Sequence, residues 1–95
     1  MVVEFTARHF RAPANLKTYA ETEVQRIHKV FDRIIQCQII LLHENNKYTT
    51  ELNLSLPSRK LHVRESTDNV TKSIDRAVDK MILRVKKVKD KMIVH

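Results

Sequence analysis

Apolar and polar residues alternate from Val2 to His9, with Val3, Phe5 and Ala7 on one side and Glu4, Thr6 and Arg8 on the other. That period of two predicts a strand with one buried face. The period then changes. Pro13 suits the first turn of a helix, where its missing N–H costs nothing. Leu16, Ala20, Val24, Ile27, Phe31 and Ile34 follow at spacings of three and four, so a helix with one apolar face is expected through this stretch. Arg26, Lys29 and Arg33 lie together, away from that face. Gln36 to His43 is apolar on both parities from Ile39 to Leu42, as in a central strand. Glu44-Asn45-Asn46-Lys47 has turn chemistry. Tyr48 to Leu56 alternates again, Pro57-Ser58 turns the chain, and Lys60 to Glu65 forms a last strand with Leu61 and Val63 inward and Lys60, His62 and Arg64 outward.

Thr67-Asp68-Asn69 offers N-cap candidates for a closing helix from Asn69 to His95. With Ile74 at zero on a wheel of about 100° per residue, Val70, Ala77, Val78, Met81, Val85, Val88 and Met92 fall within roughly 60° of it. Lys72, Arg76, Lys80, Arg84, Lys87 and Lys91 gather on the far side and one flank. The order is β-α-β-β-β-α, an α+β fold in which a parallel pair is followed by an antiparallel meander. The simplest packing is a four-stranded sheet with two helices packed on one face. The outer, basic faces of the helices would then form one composite surface. No repeat, linker or second domain interrupts it, so residues 1–95 are expected to be one domain.

Charge sharpens this picture. The chain carries 18 Lys+Arg against 11 Asp+Glu, a net +7. Residues 69–95 hold eight of those cations and only three acids. A basic stripe on a small domain is the electrostatic footprint of a polyanion partner, nucleic acid first. The chain has two Tyr and three Phe, which suits recognition by shape and phosphate better than stacking on splayed bases. No apolar run approaches the about 18 residues of a membrane span, and the first residues do not resemble a signal peptide. A cytoplasmic protein without a membrane partner is expected.

Catalytic and metal chemistry find little support. His9, His28, His43, His62 and His95 lack metal-ligand spacing with Cys37. Cys37, within CQIILL, reads as a small buried hydrophobe. Asp75 and Asp79 stand one helical turn apart beside Lys72, Arg76 and Lys80, an arrangement of surface ion pairs rather than an acid–base dyad. The chain contains no Gly, so the usual glycine-rich phosphate loop is absent. No enzyme activity, cofactor, metal or small-molecule substrate is expected.

Three segments resemble one known family. Phe31-Asp32-Arg33-Ile34 is similar to an FDRI signature closing the first helix. Ser73-Ile74-Asp75-Arg76-Ala77-Val78-Asp79-Lys80-Met81 resembles an AIDxAVDKL segment, and Lys87-Val88-Lys89-Asp90-Lys91 a terminal KxKDK. These are motifs of the short ribosome hibernation promoting factors, the ribosomal subunit interface or sigma-54 modulation family. The resemblance implies a fold similar to double-stranded RNA-binding domains. It also implies binding to 16S rRNA of the small (30S) ribosomal subunit, in the channel of mRNA and tRNA at the A and P sites, to silence translation in stationary phase or stress. By position it implies RNA contacts from Lys17, Arg26, Lys29 and Arg33 on the first helix and Lys80, Lys87, Lys89 and Lys91 on the second. The family usually has Arg at the position of Leu83 and Gln at that of Arg84, so Arg84 takes the displaced cationic role and Leu83 lies opposite the core face. Glu23 stands where Lys or Arg is common, Asn69-Val70-Thr71 replaces DMY, and Pro57-Ser58 replaces an Asn-Gly turn. With no C-terminal extension resembling the long form, pairing of ribosomes would fall to a second hibernation factor. The alternative reading is a protein-interaction module regulating a transcription factor, with Leu83, Ile82 and Ile93 as its apolar patch.

Overall fold

In the computed structural model, which describes residues 1–93 and side chains as far as Lys91, the chain runs β1 (Val2–Arg8), α1 (Ala14–Val30), β2 (Gln36–Glu44), β3 (Lys47–Ser55), β4 (Lys60–Thr67) and α2 (Val70–Ile93). Met92 and Ile93 as side chains, and the expected end of the helix at His95, lie outside the described residues. The strands form one sheet in the order β1-β2-β3-β4. β1 runs parallel to β2, and both later pairs are antiparallel. This is the expected βαβ unit followed by a meander.

Local chemistry explains the boundaries. Pro13 sits one place before the expected position, as the N-cap of α1 with φ −66° and ψ 155°, and its carbonyl accepts from Leu16 and Lys17. The β2–β3 hairpin turns on Asn45 and Asn46 with φ 53° and 61°. Two successive left-handed residues are what a two-residue type I′ hairpin requires, and Asn tolerates that region better than most residues. Of the three candidate caps for α2, Asn69 is the one used: its Oδ1 accepts from the Lys72 amide at 3.0 Å and from the Thr71 hydroxyl at 2.8 Å.

The expectation for α1 needs one correction. Its apolar spacing continues through Phe31 and Ile34, but the helix stops at Val30 and Phe31 turns extended, with φ −150° and ψ 108°. Both side chains are nevertheless buried, at 8% and 3% exposure. They anchor the turn after the helix from beneath, which is why the spacing resembled one more helical turn. Arg33 therefore projects from a turn and not from the helix surface.

Both helices cover one face of the sheet. Ile74, Ala77, Val78, Met81, Val85 and Val88 from α2 meet Ala20, Val24 and Ile27 from α1 over Cys37, Ile39, Leu41, Leu52, Leu54 and Val63. The wheel of the closing helix placed these α2 residues correctly. One polar pair lies within the core: Ser73 Oγ donates to the Val70 carbonyl at 2.7 Å and contacts Thr50 Oγ1 at 2.7 Å. With the Ser73 proton committed to its own helix, Thr50 is the donor to Ser73, and both hydroxyls are satisfied. The Cys37 thiol is buried, and burial pushes its pKa up to about 12, so it stays protonated and unreactive at neutral pH.

Candidate nucleic-acid interface

The packing of α2 decides where its cations point. One flank of the helix faces α1. There the Tyr19 hydroxyl donates to Asp75 Oδ1 at 2.5 Å, and Arg26 donates to Glu23 at 2.9 Å and to Asp79 at 2.8 Å. The seam between the helices is thus acidic, and Arg26 is spent in neutralising it. Its pKa is held above the ordinary value by the hydrogen bond to Glu23 first and that to Asp79 second.

The opposite flank faces β4, one edge of the sheet. Lys80 Nζ reaches Glu65 at 3.2 Å, and Arg84 donates to the carbonyl oxygen of His62 at 2.7 Å. Lys87 and Lys91 are exposed on the same flank and have no polar partner among the described residues. Positions 80, 84, 87 and 91 thus line one side of the helix for about 16 Å, at 1.5 Å per residue. The Lys80 and Arg84 bonds are exposed, and such contacts contribute at most about 1 kcal/mol each. Phosphate can displace them at little cost.

Lys89 lies on the other flank, where its Nζ donates to the Val30 carbonyl at 3.1 Å. It caps the C-terminal end of α1, whose last carbonyls lack helical partners and carry partial negative charge. Lys29 and Arg33, both exposed and without polar partners among the described residues, stand at this same end. Lys17 is exposed on the first turns of α1, away from both groups. The nine candidate cations therefore divide. Lys80, Arg84, Lys87 and Lys91 form one line along β4; Lys29, Arg33 and Lys89 collect at the end of α1; Arg26 fills the seam; Lys17 stands alone.

Asp75 and Asp79 lie on the α1 flank of α2, between the two groups of candidate cations, while Lys72 and Arg76 are exposed on its outer face. Exposed cations outside the candidate set lie on α2, at Lys72, Arg76 and Lys86, and on β4. Lys60 and Arg64 project from the sheet face opposite the helices, with Arg64 paired to Glu51. The signal was present in the alternation Lys60-Leu61-His62-Val63-Arg64, read as an outward face without asking which strand was the edge. Leu83 is 62% exposed on the outer face of α2, whereas Ile82 packs against the core. Among the described residues the expected apolar patch reduces to Leu83. No group of three or more His, Cys, Asp or Glu that could hold a metal occurs among the described residues.

The Tyr19–Asp75 bond also sets a pH dependence. Hydrogen bonding to Asp75, followed by burial, raises the Tyr19 pKa from 10.0 to about 12. The folded protein then keeps a proton that the unfolded chain releases near 10, so this contribution to stability is fully present below that pH and is lost as pH rises toward 12. Tyr19→Phe is expected to cost about 1 kcal/mol at neutral pH. Urea midpoints of the variant and the wild type should converge at about pH 11.

Four strands in this order, backed by two helices on one face, define a small α+β domain. A ribosomal subunit interface protein from Coxiella burnetii superposes with a TM-score of 0.89 over 95% of this chain and 99% of that one, at 22% identity. The Thermus thermophilus Protein Y N-terminal domain gives a TM-score of 0.86 over 93% and 99%, at 24% identity. The chain belongs to the Sigma 54 modulation protein / S30EA ribosomal protein family, whose sequence profile matches residues 3–93. Among its relatives, the ribosome hibernation promoting factor of Pseudomonas putida is 25% identical over 91 residues, covering 96% of this chain and 89% of that protein. The factor of the same name from Escherichia coli is 23% identical over 95 residues, the full length of both. No helix among the described residues is long and apolar enough to cross a membrane.

Proposed function

We propose that this protein is a cytoplasmic ribosome hibernation factor that binds the small (30S) ribosomal subunit through 16S rRNA. It occupies the channel of mRNA and tRNA and stops translation in stationary phase or under stress, without catalysis. The observation that carries this reading is the line of Lys80, Arg84, Lys87 and Lys91 along one flank of α2. Exposed cations at successive helical turns suit a ribose-phosphate backbone, which takes charge without requiring base contacts. Family membership and the names of the relatives support the partner. Lys29, Arg33 and Lys89 supply a second group of contacts, and Lys17 an outlying one.

Salt response tests it. With about six to eight phosphate contacts, log affinity for purified small subunits should fall against log salt with a slope of about −5 to −7. A protein-interaction module built on Leu83 would bind its partner with almost no salt response. A flat profile for ribosomal subunits would remove the phosphate reading.

A further inference from the structure

The two edges of the sheet are finished differently. At β4, Arg84 of α2 occupies the outward carbonyl of His62. At β1, nothing among the described residues pairs with the outer edge. The Val2 amide donates inward to the Ile35 carbonyl at 3.0 Å. Backbone groups alternate along a strand, so the N–H and C=O of Val3, Phe5 and Ala7 point outward, unpaired. Their side chains, on the helix-covered face, are only partly buried. The strand has no proline, and its register with β2 is unbroken from Val2 to Arg8, so no bulge turns the edge away. Its charges are one acid and one base, Glu4 and Arg8, and neither has a partner among the described residues.

We propose that the β1 edge is a self-pairing surface whose occupant is β1 of a second copy of this chain. In an antiparallel pair with its two-fold axis at Thr6, Glu4 stands opposite Arg8 of the second copy, and Arg8 opposite Glu4. Phe5 stands opposite Ala7 in the same way. The outward-pointing backbones of Phe5 and Ala7 make these the hydrogen-bonded pairs. Glu4 and Arg8 then fall in the non-hydrogen-bonded pairs, where Cα atoms approach to about 4.5 Å and side chains are closest. Opposite charges directly across such a pair stabilise it, and like charges destabilise it. The neighbouring registers lack this match. Centring on Phe5 leaves Glu4 facing Thr6, and centring on Glu4 sets two carboxylates face to face. The result is a continuous eight-stranded sheet, with both helix pairs on the same side and both α2 cation lines at its far edges. Only about five residues of each copy take part, so the dimer is weak and forms at high protein concentration.

Sedimentation of the whole chain over a wide concentration range tests this. The wild type should rise from 11.2 kDa toward twice that mass. Glu4→Arg and Arg8→Glu should each weaken association tenfold or more, because each sets like charges together at both ends of the pair. The double variant, Glu4→Arg with Arg8→Glu, should restore it. Circular dichroism should match the wild type in all three variants. A wild type that stays monomeric at the highest concentration overturns the proposal. So does association that ignores the single changes, or a double variant that fails to recover. Subunit binding by α2 is measured separately on the same variants and is expected to persist, so loss of pairing and loss of the proposed function are distinguishable.

Discussion

Reversing the charge at Lys80, Arg84 and Lys87 together is expected to lower affinity for small ribosomal subunits by about a thousandfold at moderate salt. On the proposed interface each reversal removes one phosphate contact and sets an anion where RNA would bring another, which is worth about tenfold or more per position. The effect should not come through folding. All three side chains are exposed, and the apolar face of α2 is untouched. Loss of the Lys80–Glu65 and Arg84–His62 bonds costs little, because exposed polar contacts contribute at most about 1 kcal/mol each. Filter binding or cosedimentation reads the affinity, and a thermal melt confirms the fold. The triple variant should also show a salt slope smaller in magnitude by about 3. Undiminished binding would move the interface off this flank, to the cations at the end of α1.

Leu52→Ala carries the largest expected effect on stability. Leu52 is fully buried in β3, paired across to Ile39 on one side and Val63 on the other. Removing its branched end in a packed interior forfeits the transfer energy and leaves a cavity, about 3 kcal/mol in all. For a domain of this size that lowers the melting temperature by about 15 °C. Chemical denaturation should show a lower midpoint with an unchanged slope. Subunit binding below the new melting temperature should be nearly normal, since no cation is moved. The two variants thus separate what holds the fold from what faces the partner.

The element order was legible because the two periods are distinct in this chain. Tyr48 to Leu56 alternates without a break, and Ile74 to Val88 repeats at three and four. The buried face of α2 was therefore readable residue by residue. The end of α1 was not, since Phe31 and Ile34 are buried whether or not the backbone between them is helical. A helical wheel fixes angles about its own axis but not which neighbour stands on each flank. That is why Arg26, counted among outward cations, turns out to face Asp79, and why Lys89 caps α1 instead of joining Lys87. Both facts depend on the close approach of α1 and α2, which joins residues more than fifty positions apart. The edge position of β4, which aligns Lys80 and Arg84, is likewise a property of the sheet and not of either segment. The FDRI and AIDxAVDKL resemblances pointed to the family that the profile match bears out, at identities where the fold persists while individual surface residues change.

The neighbours Leu83 and Arg84 decide where this part of α2 carries its charge. Arg84 is fixed against the β4 edge, and Leu83 beside it is exposed on the outer face. A cation at 84 extends the line of Lys80 and Lys87, whereas one at 83 would stand on the outer face of the helix, toward Lys72 and Arg76. Arg at 84 and Leu at 83 thus keep this part of the cationic line toward the sheet.

Sucrose-gradient fractionation of growing and starved cells, probed for this protein, is the most direct measurement of its proposed role. The protein should migrate with small subunits and whole ribosomes in starved cells and leave those fractions when salt is raised. A protein that stays at the top of the gradient under starvation, at low salt and with intact ribosomes present, would contradict ribosome binding itself.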